Sequence, residues 1–225
     1  MVSNEIKDFP LFEGLAPAVI EGLLTGGVRK SHKHREVMCH AGDVADSFGV
    51  VLSGAYKLIK PTVRGDDIIV YFSTPGDVIG ALLMSKEHAN FPITAKAMGP
   101  SSIYAIPRST FLKTWISNAQ IQSRLNAFLY TRMSLLQDER ALARAPLEQR
   151  VAGLLLTLLE RSSRENDRLV PLPLTRQEIA DSLGAAVESV IRVMSDWSQR
   201  GVIKTTDRNI EILRPDQVIE IVKGP

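Results

Sequence analysis

The chain of 225 residues contains a single cysteine, Cys39, and no long apolar segment. One cysteine excludes a framework of intramolecular disulfides and is typical of proteins from a reducing compartment. The longest apolar runs, such as residues 151–159, are too short to cross a bilayer, and the N-terminus lacks the basic-then-apolar pattern of a secretory signal. The sequence therefore predicts a cytoplasmic protein with no membrane partner.

An excess of charge of either sign is also missing. The 27 basic and 25 acidic residues give a formal net charge of +2, and the balance from Pro146 onward is slightly negative. Overall charge therefore does not indicate a protein that binds polyanions. The hydrophobic content of 44% is ordinary for a globular protein, and the length suffices for two modest domains.

Residues 174–201 carry the most specific pattern, which predicts two short helices joined by a tight turn. Thr175 and Glu178 have the spacing of a capping box, and Gly184 suits the left-handed residue that ends a short helix. A second helix is expected from near Ala186. The residues predicted to face the core are Ile179, Ala180 and Leu183 in the first helix and Val190, Val193, Met194 and Trp197 in the second.

The second helix has a mainly polar stripe on its far side. This stripe consists of Glu188, Ile191, Arg192 and Ser195, with Val187 beside it. Arginine can donate two hydrogen bonds to guanine, glutamate can accept one from cytosine, and an aliphatic side chain can contact the methyl group of thymine. The stripe therefore predicts a helix that reads the major groove of DNA. The alternative is an ordinary helical hairpin with a solvated Glu188–Arg192 pair.

The segment after Gly201 favours DNA binding over that alternative. Two short apolar runs, residues 202–204 and 210–213, surround a polar turn and predict a β-hairpin, which completes a winged helix. Because the net charge is small, the interface must be a local arrangement of side chains, some of them near phosphates. The predicted DNA-binding residues are Thr175, Arg176, Gln177, Val187, Glu188, Ser189, Ile191, Arg192, Lys204 and Arg208.

Segments 175–184 and 187–192 resemble the C-terminal domain of the CRP/FNR family of transcription regulators, in spacing as well as in residue type. Glu188 and Arg192 fall on the two main base-reading positions of that family. Val187 is similar to the FNR-like branch, and Ile191 stands where serine or glycine is usual. The resemblance implies a regulator rather than an enzyme. It also implies an inverted-repeat site with TGA-containing half-sites, and RNA polymerase as a partner.

Residues 28–106 have a different character. Gly42, Gly54, Gly65 and Gly76 recur every eleven or twelve residues between short apolar or alternating runs, which predicts an all-β roll or barrel. A short amphipathic helix is predicted before it, over residues 15–24. The resemblance narrows the roll to the double-stranded β-roll of cyclic-nucleotide-binding domains, so the expected fold class is α+β.

The resemblance also implies an effector pocket, but the ligand-binding residues of cyclic-nucleotide domains are missing. Those domains use a glutamate for the ribose hydroxyl and an arginine for the phosphate. Ala81 stands at the glutamate position, and residues 66–102 contain no arginine. Because a cyclic phosphate needs a cation when it leaves water, we expect that neither cAMP nor cGMP is a ligand. The candidate pocket residues are Tyr71, Gly80, Ala81, Leu82, Thr94, Leu135 and Leu136, and the effector is unknown.

A long helix is predicted from about residue 110 to residue 144, followed by a hinge at Pro146. Its apolar residues follow a seven-residue repeat, which indicates a pairing seam, although one face of the helix is expected to pack on its own β-roll. The resemblance implies a parallel homodimer through this helix. The predicted interface residues are Ile121, Leu125, Phe128, Leu129, Arg132, Leu135, Leu136 and Leu142. The predicted domains are residues 1–109, 110–145 and 146–225.

Other interpretations of the β-roll remain open. His32 and His34 faintly resemble the first motif of the cupins, a class of metal-dependent enzymes, although the second motif has no histidine and no metal site is predicted. Cys39 could make the protein a redox-responsive regulator. Haem, with His88 as a ligand, would make it a gas sensor, and a regulator without any effector is a further alternative. No cofactor is predicted. Stoichiometric iron, manganese or zinc in elemental analysis would favour the metal-dependent enzyme, and an absorption band near that of haem would favour the gas sensor.

Overall fold

The computed structural model of the protein describes residues 2–62, 67–161 and 168–224. The predicted turn at Gly65 and most of the predicted loop over residues 161–168 lie outside these ranges. The chain divides into two compact units, Met1–Tyr130 and Thr131–Pro225. The division falls inside the long helix, so the three predicted domain boundaries stay predictions.

The first unit contains the double-stranded β-roll, and the predicted α+β class is confirmed. Two four-stranded antiparallel sheets have the strand orders β1-β8-β3-β6 and β2-β7-β4-β5, and apolar residues of both sheets form one core. The strands are β1 (Val28–His32), β2 (Val37–Cys39), β3 (Ser47–Ser53), β4 (Tyr56–Pro61), β5 (Asp67–Ser73), β6 (Val78–Ile79), β7 (Thr94–Ala97) and β8 (Ser101–Pro107).

Two short helices, α1 (Val2–Ile6) and α2 (Pro17–Leu24), precede the roll. The second confirms the predicted amphipathic helix, since Pro17 begins it and Ile20, Leu23 and Leu24 are buried. The indole nitrogen of Trp115 donates to the carbonyl oxygen of Leu23 at 2.9 Å, which fixes this helix against the core. The N-terminal segment is therefore part of the folded unit.

The long helix, α4 (Ala119–Leu142), begins later than the predicted residue 110. Before it, α3 (Arg108–Thr110) runs into a π-helical turn (Phe111–Trp115) that buries Phe111 and Trp115. In this π-helical turn, the rings of Phe111 and Trp115 both lie in the core. A side-chain cap then starts α4, because Asn118 Oδ1 accepts a hydrogen bond from the N–H of Ile121 at 3.0 Å.

Three predicted dimer-interface residues lie instead in the core of their own unit. Ile121 and Leu125 are buried there, and Phe128 packs against the same cluster. An apolar repeat on a helix shows that a face is buried but not which partner buries it. The prediction was therefore wrong for Ile121 and Leu125, whose side chains are not available to a second subunit.

The second unit is a winged helix preceded by a supporting helix, as predicted. The supporting helix covers the predicted residues 147–160 and buries one apolar face. Within the described residues, no helix is both long and apolar enough to span a bilayer. The elements of this unit are α5 (Leu147–Glu160), α6 (Arg176–Leu183), α7 (Val187–Gln199), β9 (Ile203–Thr206), β10 (Asn209–Ile212) and α8 (Pro215–Lys223).

Candidate nucleic-acid interface

The first helix of the pair, α6, starts with the predicted capping box. The hydroxyl oxygen of Thr175 accepts from the backbone N–H of Glu178 at 3.1 Å, and the Glu178 carboxylate accepts from the backbone N–H of Thr175 at 3.0 Å. The Thr175 hydroxyl also donates to this carboxylate at 2.9 Å. Thr175 thus has no proton left for a phosphate, so the structure gives it a capping role.

A tight turn then reverses the chain between α6 and α7. Gly184 has a φ of +58°, the left-handed conformation predicted for this position. The Arg150 guanidinium on α5 donates to the carbonyl oxygen of Leu183 and satisfies the end of the helix. Sequence spacing carried no signal for this contact, because Arg150 and Leu183 are 33 residues apart in the chain.

The second helix, α7, presents the predicted stripe to solvent. Val190, Met194 and Trp197 are fully buried, whereas the predicted core residue Val193 is only half-buried. On the other side Glu188, Ile191, Arg192 and Ser195 are exposed, and Val187 and Ser189 at its margin are half-buried. A helix turns about 100° per residue, so the four exposed residues share one face.

The two charged heads on this face remain accessible. Arg192 Nη2 donates to the hydroxyl of Ser189 at 3.2 Å, one turn earlier on the same helix. Among the described residues, neither Glu188 nor Arg192 forms an ion pair. By contrast, Arg200 at the end of α7 pairs with Asp196 at 3.0 Å. The exposed face therefore offers one acceptor and one strong donor group, as base reading requires.

Trp197 anchors the helix from below. Its indole nitrogen donates to Glu148 Oε1 on α5 at 2.8 Å, and its ring is fully buried. The sequence signalled the burial of Trp197 but not its partner, since Glu148 is a polar residue in the first turn of another helix. Packing and this hydrogen bond together fix which face of α7 points outward.

Two of the predicted DNA-binding residues on α6 are held by intramolecular contacts. Arg176 is half-buried and donates to the hydroxyl oxygen of Thr205 on β9 at 3.1 Å, and burial lowers the pKa of its guanidinium. The Gln177 side chain is exposed and donates to Asp181 Oδ1 at 2.7 Å. Arg176 therefore connects the first turn of α6 to the wing.

The wing is the antiparallel hairpin β9–β10, with Thr206 paired to Asn209. The two residues of its turn, Asp207 and Arg208, have φ values of +47° and +69°, as a two-residue hairpin turn demands. Lys204 and Arg208 are exposed, as expected for contacts to phosphates. The carbonyl oxygen of Arg208 accepts from the N–H of Leu174 at 2.8 Å, so the wing tip is joined to the residue before the α6 cap.

Gly80, Ala81 and Thr94, three of the predicted effector positions in the first unit, are packed or hydrogen-bonded within the protein. Gly80 has a φ of +88°, and a Cβ there would lie 2.7 Å from Cε1 of Phe91, so this ring covers the segment. Ala81 is buried, and Leu82 is exposed. The Thr94 hydroxyl accepts from the N–H of Ala41 at 3.0 Å.

The remaining effector candidates lie on β5 and α4. Tyr71 on β5 is half-buried, and Leu135 and Leu136 on α4 belong to the second unit. A cavity of about 140 Å³ does exist in the roll, but none of the seven candidates lines it. Its walls include Lys30, Met38, Cys39, Asp43, Phe48, Phe91 and Ile103.

The histidines and the cysteine of the roll make structural contacts. His32 Nδ1 lies 2.8 Å from the buried Tyr56 hydroxyl, and His34 Nδ1 donates to the carbonyl oxygen of Met98 at 2.7 Å. Burial raises the pKa of the Cys39 thiol to about 11, the reverse of what a redox-reactive thiolate needs. Across the parts of the chain that the structure describes, no three His, Cys, Asp or Glu residues cluster as a metal site.

Comparisons with known proteins agree with both units. Residues 29–118 match the cyclic nucleotide-binding domain, and residues 149–221 match the Crp-like helix-turn-helix domain. The nitrogen fixation regulation protein FixK of Bradyrhizobium diazoefficiens is 30% identical over 195 residues, which cover 85% of this chain and 81% of FixK. The transcriptional activatory protein AadR of Rhodopseudomonas palustris is 28% identical over 184 residues, 80% of this chain and 75% of AadR.

The solved structure of FixK2 from Bradyrhizobium japonicum has the same fold, with a TM-score of 0.74 at 24% identity over 86% of this chain and 96% of FixK2. A β-roll of the cyclic-nucleotide type followed by a winged helix defines a class of DNA-binding transcription regulators. The chain belongs to the CRP/FNR family of transcription regulators. These regulators are not enzymes, so the cupin-like alternative is wrong.

Proposed function

We propose that the protein binds, as a homodimer, to an inverted-repeat DNA site with TGA in each half-site. The observation that carries the proposal is the exposed face of α7, where Glu188 and Arg192 stand one turn apart without an ion-pair partner among the described residues. On the opposite side of α7, Val190, Met194 and Trp197 are fully buried. This packing fixes the rotation of the helix, so Glu188 and Arg192 stay exposed.

The hydrogen-bonding groups of Arg192 and Glu188 match those of a G·C base pair and an adjacent base pair. Arg192 can donate to O6 and N7 of guanine, and Glu188 can accept from N4 of cytosine. Arg192 donates to Ser189 through Nη2 alone, and a guanidinium has five N–H donors, so donors remain for O6 and N7 of guanine. A bidentate contact to guanine provides about 1–3 kcal/mol of discrimination against the wrong base.

Dimerisation would use a seam on α4 that differs in part from the one predicted by the sequence. Leu129, Met133 and Leu136 are spaced four and three residues apart, as in a coiled coil. Met133 and Leu136 are exposed apolar residues, and Leu129 is half-buried. Tyr130 beside them is 75% exposed. These four residues offer an apolar surface that a second copy of the helix could cover.

This seam is separate from the face of α4 that packs on the roll. With about 100° per residue, its centre lies about a quarter of a turn around the helix from the buried Ile121 and Leu125. A partner helix could therefore contact the seam without displacing the core. Two subunits joined in parallel along this helix would match the symmetry of an inverted repeat.

Control by cAMP is not part of the proposal. Ala81 is buried where a carboxylate would be required, Phe91 covers Gly80, and residues 66–102 contain no arginine. These observations support a regulator that needs no cyclic nucleotide and are compatible with one that needs no effector. The raised pKa of the Cys39 thiol argues against the redox-responsive alternative. We further propose that the protein acts in the cytoplasm together with RNA polymerase, as its resemblance to the family implies.

Selection of bound sequences from a random DNA pool tests the proposal. The wild type should enrich an inverted repeat containing TGA. Arg192→Ala should lose the preference at one G·C pair in each half-site. Arg200→Ala is the matched control, because Arg200 lies at the end of the same helix but pairs with Asp196 outside the stripe. The proposal fails if the wild type enriches no sequence, or if Arg192→Ala enriches the same site as the wild type.

A further inference from the structure

The cavity of about 140 Å³ opens at one edge of the β-roll, between its two sheets. Residues of β1, β2, β3 and β8 line it, together with the loop that joins β2 to β3. The strands β1 and β2 are edge strands of the two sheets, and in the described part of the chain they do not pair with each other. The cavity therefore lies at an edge where hydrogen bonds do not join the sheets.

The floor of the cavity is apolar. Phe48, Phe91 and Ile103 are buried in the core of the roll and line the cavity. Met38 reaches across from β2, so that its Cε lies 3.1 Å from the place a Cβ on Gly49 of β3 would take. The thioether chain is flexible and can move aside for a ligand. A cavity of this size with an apolar floor accepts a group about as large as a benzene ring.

Backbone hydrogen bonds hold the loop over residues 40–46, which forms one wall of the cavity. The N–H of Gly42 donates to the carbonyl oxygen of Phe91 at 2.8 Å, and the N–H of Phe91 donates to the carbonyl oxygen of Asp43 at 2.9 Å. The wall is therefore fixed in the absence of any ligand. A fixed wall lowers the cost of ordering that binding must overcome.

A cation stands on the β1 side of the mouth. Lys30 lines the cavity and is exposed. It lies directly opposite Ile103 of β8 in the antiparallel register, so its side chain is on the same face of the sheet as this buried residue. Within the described residues, Lys30 forms no ion pair with the acidic side chains of the opposite wall.

Two carboxylates stand on the loop side of the mouth. Asp43 and Asp46 line the cavity and are exposed. Asp43 Oδ2 accepts from the N–H of His40 at 2.7 Å, and Asp46 Oδ1 accepts from the hydroxyl of Ser47 at 3.0 Å. A carboxylate can accept about four hydrogen bonds, so both retain capacity for a ligand. The mouth thus offers charges of both signs that the protein has not joined to each other.

We infer that this cavity is a binding site for a small zwitterion with an aliphatic side chain, in the chemical class of free α-amino acids. Lys30 receives the carboxylate of the ligand, Asp43 and Asp46 receive its ammonium group, and the apolar floor receives its side chain. A ligand with a single charge would leave one sign at the mouth without a partner. The inference concerns the roll alone and does not depend on the proposed function.

Calorimetric titration with leucine tests the site, because the branched side chain of leucine fits the apolar space. The wild type should bind leucine saturably. Isocaproate has the same skeleton without the ammonium group, and leucinol lacks the carboxylate. Each removes one charge-assisted contact and should bind about tenfold more weakly or worse. Glycine keeps both charges but has no side chain to bury, so it should also bind at least about tenfold more weakly.

Variants and a chemical reporter assign the binding to this cavity. Lys30→Gln should weaken leucine binding about tenfold. Lys86→Gln is the matched control, because Lys86 is an exposed lysine of the same unit that does not line the cavity, and it should bind leucine like the wild type. Cys39 is the single cysteine and lines the cavity, so saturating leucine should slow its modification by methyl methanethiosulfonate in the wild type.

Four results would overturn the inference. The first is the absence of saturable leucine binding. The second is equal binding of leucine, isocaproate and leucinol, because the apolar floor alone would then account for it. The third is an unchanged affinity in Lys30→Gln, which would leave Lys30 as a charge that only protects an edge strand from pairing. The fourth is modification of Cys39 that leucine does not slow, which would place the binding elsewhere.

Discussion

The β-roll and the winged helix differ in whether the side chains at their expected binding positions are packed within the protein or exposed to solvent. In the roll, the groups at the positions expected for ligand binding are apolar or engaged within the protein, as with buried Ala81 and with Thr94, whose hydroxyl accepts from Ala41. On α7, the charged heads of Glu188 and Arg192 face solvent. Binding a polar ligand requires groups whose hydrogen bonds are still to be made. The difference supports the proposal that this chain recognises DNA through the exposed face of α7.

The largest expected effect concerns the packing beneath the reading face. Trp197→Ala removes a fully buried ring and leaves Glu148 without its donor, so the free energy of unfolding should fall by about 3–5 kcal/mol. Urea denaturation followed by circular dichroism measures this. Trp197→Phe keeps most of the volume and should lose less. A loss below about 1 kcal/mol would contradict a close-packed support for α7.

The proposed homodimer depends on the apolar seam on α4, which includes Met133. Met133→Glu places a charge in the proposed seam, where desolvation is costly, and should convert the dimer into a monomer of 24.8 kDa. Sedimentation equilibrium gives the mass. Gln120→Glu adds the same charge on the other side of α4 and should leave the dimer intact. A dimer that survives Met133→Glu would show that the seam lies elsewhere.

Loss of the cap on α6 should have an intermediate effect. In Thr175→Ala, the N–H of Glu178 loses its acceptor and the buried carboxylate loses the hydroxyl donor, so stability should fall by about 1–2 kcal/mol. Thr175→Ser retains the hydroxyl and is the control. Since Thr175 is assigned a capping role, the salt dependence of DNA binding should not change in either variant. A reduced salt slope would instead identify Thr175 as a phosphate contact.

The smallest effect should follow from changing Cys39. Its folded-state pKa of about 11 lies above the ordinary value of 9.0, so the thiol is protonated at neutral pH and any stability it contributes is lost only as pH rises through that interval. Alkylation by iodoacetamide should be slow at pH 7 and should accelerate toward pH 11. Cys39→Ala and mild oxidation should both leave the affinity for DNA within about twofold, a change below about 0.5 kcal/mol. A larger change would revive the redox-responsive alternative.

Local sequence signals predicted the winged helix well. The capping box at Thr175, the left-handed Gly184 and the run that forms α5 depend on neighbours in the chain, and each was confirmed. The start of α4 was missed because the π-helical turn over Phe111–Trp115 has the same apolar content as an ordinary helix. Its position follows from where the two aromatic rings fit in the roll, which is a tertiary constraint.

The dimer seam and the effector site show that sequence periodicity does not predict which residues pack against each other. The helix α4 has two apolar faces, and only coordinates separate the one that packs on the roll, with Ile121 and Leu125, from the one that stays exposed, with Met133 and Leu136. Similarly, the sequence showed that Ala81 cannot bind a ribose hydroxyl, but not that Phe91 packs over Gly80. Contacts between distant segments carry no signature in a single sequence.

The central claim is that the exposed α7 face of this chain reads bases through Arg192. A double-mutant cycle measures it most directly, with Kd determined for wild type and Arg192→Ala on the selected site and on the same site with the G·C pair of TGA inverted. We predict that inversion weakens wild-type binding by about 1–3 kcal/mol per half-site and has almost no effect on Arg192→Ala. An equal loss in both proteins would contradict the claim.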